Sequence, residues 1–239
     1  STEAGLRRWK SVNSSFDGSK LLASDYSGNL YVSNNFGESW SIKNLSTKIG
    51  DIGLSGVSAY LSASGTKMIV ESGEWSNKPL SGFIWISSDD GETWAKSTAS
   101  LGQKNWGNVS ISADGNKIFA SIATYGYIYT SSDGGQTWST VTALGQDFWR
   151  NVSMSADGNI LYATPVGYDG GYYKIHTYKS IDGGTTWTEE LKMGRVEWNS
   201  IQISYDGGKI LGFGKYVYVY MTPKAPLIFE NGVPTSPDR

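Results

Sequence analysis

Apolar and polar positions alternate along most of the chain in short runs, and segments rich in Gly, Asn, Asp and Ser separate the runs. Four such runs follow one another in the middle of the sequence: Asn108–Ser112, Lys117–Ile122, Tyr127–Ser131 and Thr137–Thr142. An alternation of period two belongs to a half-buried strand, so each run is predicted as β. Ser-Ala-Asp-Gly and Ser-Asp-Gly-Gly-Gln-Thr lie between them. Both carry turn chemistry, since glycine reaches positive φ and the Asx side chain caps the turn. Helical spacing of apolar residues is absent.

The pattern recurs. Trp106-Gly-Asn-Val-Ser-Ile-Ser-Ala-Asp-Gly returns from Trp149 as Trp-Arg-Asn-Val-Ser-Met-Ser-Ala-Asp-Gly. Trp9 opens a related copy, as does Trp198. One more begins at Gly56, with Leu61-Ser-Ala-Ser-Gly in the turn and no leading tryptophan. Start positions of 9, 56, 106, 149 and 198 give a period of 43 to 50 residues. A repeat of this length made of four short antiparallel strands is the signature of a propeller blade. The expected fold is therefore all-β, a five-bladed β-propeller spanning residues 1–224. Residues 225–239 are expected to supply a closing strand and a tail or linker, because Pro223 and Pro226 suit an edge rather than a central strand.

Composition narrows the function. Lys+Arg 20 against Asp+Glu 22 leaves a net charge of -2, without the basic surplus that nucleic acid requires. No run approaches the ~18 apolar residues of a helical membrane span, so membrane insertion is not expected. With no cysteine and His176 as the one histidine, neither a metal site nor a cofactor is expected. His176, in Tyr173–Tyr178, reads as a strand residue. The 30 glycines and the 10 Trp, 15 Tyr and 7 Phe residues fit many turns between aromatic-rich strands. The chain opens at Ser1 without a signal-peptide pattern, which suggests a processed chain or part of a longer one; its expected location is extracellular or on the cell surface. Asn13, Asn44, Asn108 and Asn151 each begin an N-x-[ST] sequon, but Asn108 and Asn151 fall on inner strands, where a glycan has no room.

Near the end of three copies stands S-x-D-x-G-x-T-W: Ser87/Asp89/Gly91/Thr93/Trp94, Ser131/Asp133/Gly135/Thr137/Trp138 and Ser180/Asp182/Gly184/Thr186/Trp187. Ser33/Asn35/Gly37/Ser39/Trp40 is a variant with Asn for Asp. This motif resembles the Asp-box, or BNR repeat, of β-propellers that include sialidases, xyloglucanases, sortilin-type receptors and photosystem assembly factors. The resemblance implies a structural turn between the third and fourth strands of a blade. In that reading Asp89, Asp133 and Asp182 hold the turn, while Trp40, Trp94, Trp138 and Trp187 pack between sheets. The fifth copy runs from Tyr216–Tyr220 into Met-Thr-Pro-Lys-Ala-Pro and lacks the motif. Sialidase chemistry is not expected: it needs an arginine cluster and a Tyr/Glu pair, and the arginines are Arg7, Arg8, Arg150, Arg195 and Arg239, with no F/Y-R-I-P segment.

Propeller topology puts the repeated turns on one face. The second-to-third loops and the blade connections lie on the other. The latter vary, and variable loops on a rigid scaffold are where binding usually sits. Candidate ligand contacts there are Trp75, Tyr125, Tyr168, Tyr172, Asn105 and Asp147. Trp9, Trp106, Trp149 and Trp198 start the innermost strands; they either form a ring of equivalent subsites or wedge adjacent blades apart. Aromatic faces beside amides and carboxylates suit sugars. The leading expectation is a non-catalytic carbohydrate-binding module, a lectin or an accessory unit, with a glycan or polysaccharide as partner. A protein-binding scaffold is the alternative. A glycoside hydrolase is the third reading, with Glu74 and Asp169 as its weak candidates for the flanking carboxylates and Glu71 and Glu197 in reserve.

Overall fold

The computed structural model describes residues 7–45, 57–71, 82–97, 101–165, 176–193, 198–213, 217–221, 228–230 and 233–235. The runs of alternating residues form strands, and the strands form blades. Blade one holds β1 (Trp9–Ser14), β2 (Leu21–Asp25), β3 (Asn29–Ser33) and β4 (Ser41–Asn44), paired antiparallel in that order. Blade two holds β5 (Ser58–Leu61), β6 (Met68–Glu71), β7 (Ile84–Ser87) and β8 (Ala95–Lys96). Blade three holds β9 (Trp106–Ile111), β10 (Ile118–Ile122), β11 (Ile128–Ser131) and β12 (Ser139–Val141). Blade four holds β13 (Trp149–Met154), β14 (Leu161–Pro165), β15 (Tyr178–Ser180) and β16 (Thr188–Glu189). Blade five has three described strands, β17 (Ser200–Ile203), β18 (Lys209–Phe213) and β19 (Val217–Met221). Beyond it β20 (Ile228–Glu230) and β21 (Val233–Thr235) pair with each other as a separate hairpin. The protein is all-β, a five-bladed β-propeller.

The first strands of all five blades surround a central cavity of about 490 Å³, the propeller's tunnel. Their polar side chains tie blade one to two, three to four and four to five. Ser11 Oγ accepts from the Ala59 amide (2.9 Å), Asn108 Oδ1 from Val152 (3.2 Å), Ser110 Oγ from Met154 (3.0 Å) and Ser153 Oγ from Ile203 (3.0 Å). Adjacent inner strands diverge too much to form a ladder, so side-chain oxygens satisfy amides that would otherwise stay unpaired. This is also the structural role of two of the sequons. Asn108 is spent on its strut, and Asn151 is buried and donates to the Trp198 carbonyl at 3.0 Å.

Between the sheets lie four hydrophobic wedges. Leu22, Leu30 and Leu45 meet Ala59, Met68 and Val70 between blades one and two. Ile69 and Ile84 meet Trp106 and Ile118 at the next junction, and Phe119 and Ile128 meet Trp149 and Leu161 at the one after. Tyr162 and Met193 meet Trp198 and Ile201 between blades four and five. Each fully buried Leu, Ile or Phe contributes about 1.5–3 kcal/mol before conformational entropy is subtracted. Among the described residues no such buried cluster joins blade five to blade one. There Leu211, Phe213 and Trp9 are partly in solvent, and Phe16 and Tyr205 meet with ring centroids 4.8 Å apart.

Candidate functional site

The two mouths of the tunnel are built from different kinds of loop. At one mouth the β1–β2, β5–β6, β9–β10, β13–β14 and β17–β18 turns form a chain of backbone hydrogen bonds: Phe16 to Ala63, Ser64 to Ala113, Ala113 to Ala156 and Ala156 to Tyr205. Lysines fasten neighbouring turns as well. Lys20 Nζ reaches the Gly65 carbonyl at 2.8 Å, and Lys117 Nζ the Asp157 carbonyl at 2.9 Å.

The S-x-D-x-G-x-T-W turns on the same side share one geometry. Ser87 Oγ donates to Asp89 Oδ1 (2.8 Å) and accepts from the Gly91 amide (2.9 Å). Asp89 also receives the Thr93 amide at 2.9 Å and the Thr93 hydroxyl at 2.5 Å. Gly91 must sit at φ 79°, a region that favours glycine. Ser131/Asp133/Thr137 and Ser180/Asp182/Thr186 repeat the arrangement. These bonds favour the ionised carboxylate, the Thr hydroxyl most of all, and lower Asp89 and Asp182 to about 2; Asp133 falls further for the same reason. In blade one, Asn35 replaces the aspartate and still engages Ser39 through its amide and its oxygen. Trp94 and Trp187 Nε1 donate to the Gly91 and Gly184 carbonyls, whereas Trp138 Nε1 donates to Ser97 Oγ of blade two, which itself donates to the Gly135 carbonyl. All these acids are committed to holding turns.

The other mouth carries the non-repeated loops. Ala123–Tyr127, between β10 and β11, is clamped from both sides. Its Ala123 amide donates to the Asn105 carbonyl (2.6 Å), and Gly126 exchanges two 3.0 Å hydrogen bonds with the Asp147 backbone. The clamp holds Tyr125 against Phe148, ring centroids 5.4 Å apart at 63°, with 57% and 41% of their surfaces exposed. Tyr125, Asn105 and Asp147 thus come together as the sequence predicts, and Phe148 completes an outward-facing aromatic pair. Asp147 Oδ1 accepts the Phe148 amide at 2.7 Å.

The expectation of a tryptophan ring of ligand subsites is corrected. Trp106, Trp149 and Trp198 are each only 1% exposed, wedged between consecutive blades, and offer no ring face to a ligand. Trp9 differs: it is 37% exposed and packs edge-on against Tyr31 (5.0 Å). Around it lies a group that sequence reasoning passed over. Arg8 and Lys10 flank the Tyr26 ring at 4.8 and 5.4 Å, and Arg7 lies over Tyr31, whose hydroxyl donates to buried Asp25 at 2.9 Å. The available signal was the Arg7-Arg8-Trp9-Lys10 run itself.

Trp75, Tyr168, Tyr172, Glu74, Asp169 and Glu197 fall outside the described residues. Glu71 does not face solvent; it is buried at the end of β6. His176 precedes β15 rather than lying within a strand and bonds Glu189 at 2.5 Å.

No family model matches the chain, and no curated protein matches it. Solved structures with the same architecture do. A GH74 xyloglucanase from Xanthomonas campestris superposes with a TM-score of 0.62 at 14% identity, over 85% of this chain and 35% of that one. YCF48 from Cyanidioschyzon merolae gives 0.61 at 16% identity, over 96% and 71%. A chain of a nidogen/laminin complex gives 0.65 at 9% identity, over 89% and 75%. The chain therefore spans about a third of the length of the xyloglucanase. At these identities the likeness establishes the propeller fold.

Proposed function

We propose that the protein is a non-catalytic carbohydrate-binding propeller, a lectin or accessory module of a secreted or surface protein. The observation that carries this reading is the clamped Tyr125–Phe148 pair, two exposed rings set beside the Asn105 and Asp147 loops on a face that the repeat does not dictate. Contiguous exposed apolar surface, as two touching rings make, is what marks a binding site, whereas scattered exposed side chains do not. Flat rings take the C–H faces of a sugar, and neighbouring amides and carboxylates take its hydroxyls. Trp9, Trp75, Tyr168 and Tyr172 extend the same face in this reading. The four tryptophan-ended turns we read as Asp-box repeats, on the strength of their shared hydrogen-bond set. The xyloglucanase neighbour, a propeller named for a polysaccharide, is a precedent for the ligand class.

A protein-binding scaffold is the second reading, favoured by the Arg8–Tyr26–Lys10 stack, since Arg and Tyr are enriched at protein interfaces. A glycan and polysaccharide array separates the two. Saturable binding to one glycan class that Tyr125→Ala and Trp75→Ala each weaken about tenfold or more is the expected result. A clean negative from folded protein overturns the carbohydrate reading.

A further inference from the structure

The wall of the tunnel has a chemical sense. In three of the wall struts Asn108 Oδ1, Ser110 Oγ and Ser153 Oγ accept backbone amides of the next blade. Their acceptor atoms are thereby engaged, while no acceptor among the described residues takes the Asn108 side-chain N–H groups or the Ser110 and Ser153 hydroxyl hydrogens. The three side chains line the cavity, so the lumen is offered unspent donors, beside the second lone pair that each of these oxygens keeps.

At the mouth beside the Tyr125 loop, cations are aimed by the backbone. The β1–β2 register slips between Trp9 and Ser11, and the β13–β14 register slips identically between Trp149 and Asn151. Each slip is a bulge, and its extra residue is Lys10 in blade one and Arg150 in blade four. A bulge leaves its extra residue out of the ladder and re-aims the side chain. Both residues are exposed, and Lys10 is the one charged residue among those lining the cavity. Among the described residues Lys10 has no carboxylate partner; it lies over the Tyr26 ring instead. At the opposite mouth stand Asp17 and Asp114, both kept ionised by hydrogen bonds within their own turns, chiefly from Ser15 and Ser112. An anion entering at the Lys10 mouth therefore meets a cation and then hydrogen-bond donors along the wall, whereas at the opposite mouth Asp17 and Asp114 stand among the turn lysines Lys20 and Lys117.

We propose that the Lys10 mouth of the tunnel is an anion subsite that takes the carboxylate of an acidic sugar, a uronate, whose ring rests on the aromatic face outside. The ligand class rests on the carbohydrate reading above; the anion subsite itself does not. Lys10 supplies the charge, and Asn108 and Ser110 hydrogen-bond the carboxylate oxygens, since charge-assisted bonds of this kind are roughly twice as strong as neutral ones.

Calorimetric titration with glucuronate, glucose and sulfate tests this on the intact chain. At low salt glucuronate is expected to bind about tenfold or more tighter than glucose, the worth of one charge-assisted hydrogen bond. Lys10→Gln should erase that advantage, Lys10→Arg should keep most of it, and added salt should shrink it. Equal affinity for the two sugars, or an advantage that survives Lys10→Gln, overturns the subsite and leaves the carbohydrate reading standing. Sulfate binding that needs Lys10, with no binding of either sugar, upholds the subsite and counts against the carbohydrate reading. If neither sugar nor sulfate binds, the subsite falls. Lys10 is exposed, so the variants are expected to fold; matching melting temperatures verify it.

Discussion

The two mouths of one tunnel obey different rules. At the mouth of repeated turns, polar groups answer to their neighbours: Ser to Asp, Asp to Thr, lysine to the next blade's carbonyl. The sequence there is monotonous because the hydrogen-bond set is the same in each copy. At the other mouth, the loops share no such set. They carry exposed rings, Tyr125 and Phe148 on one side and Trp9 and Tyr26 on another, as the repeated mouth also does in Phe16 and Tyr205; what sets them apart is that no repeat dictates them. Repetition marks what folding requires, and departure from repetition marks loops whose sequence the fold does not dictate. The tryptophans cross this line: Trp106, Trp149 and Trp198 are repeated and buried, and Trp9, in the same register, is not buried.

Three substitutions probe that contrast. Trp149→Ala should cost the most, about 3–5 kcal/mol as a large-to-small core truncation, read as a fall in the denaturant midpoint at constant slope. A loss under about 1 kcal/mol would mean that the ring is not the wedge it is taken to be. Tyr125→Ala should leave the midpoint nearly where it was while weakening glycan binding about tenfold or more, equivalent to about 1.4 kcal/mol. If it unfolds the protein instead, the clamped loop belongs to the scaffold.

The smallest effect concerns acid. Asp89 and Asp182, at about 2 in the folded chain, lie below the ordinary value of about 3.9, so their contribution to stability is complete above pH ~4 and is lost as pH falls through about 2. Asp133 behaves alike, being lowered by the same bonds. Asp133→Asn copies what Asn35 already does in blade one. It should change stability little at neutral pH and should flatten the decline of melting temperature between pH 4 and 2, set by those same pKa limits. An acid limb as steep as that of the native protein would assign the loss to other groups.

Most of the fold was legible because the information was local and written five times. The alternation between Asn108 and Thr142 marks the four strands of blade three to within two or three residues. Turn glycines stood where positive φ occurs, at Gly115, Gly135 and Gly158 among others. The site was legible in part. Tyr125, Asn105 and Asp147 converge because topology alone brings a second-to-third loop beside the two blade connections. The direction of the Trp106, Trp149 and Trp198 rings was not legible, since it depends on the face of the neighbouring sheet rather than on the strand that carries them. Lys10 was missed for a related reason. A bulge is a property of two paired strands, and one strand's sequence does not announce which residue will be left over.

Among the described residues, the junction between blades five and one is the one without a buried wedge. Four junctions are held by buried wedges; this one relies, among the described residues, on Phe16 against Tyr205 at the rim of the turns. A closed ring distributes load evenly only when its joints are alike. Among the described residues this joint is the least buried, so amide hydrogens of β1 and β17 are expected to exchange through a local parting that leaves blades two, three and four shut. The molecule is in that sense a clasp rather than a wheel, and Lys10 stands on the strand beside its opening.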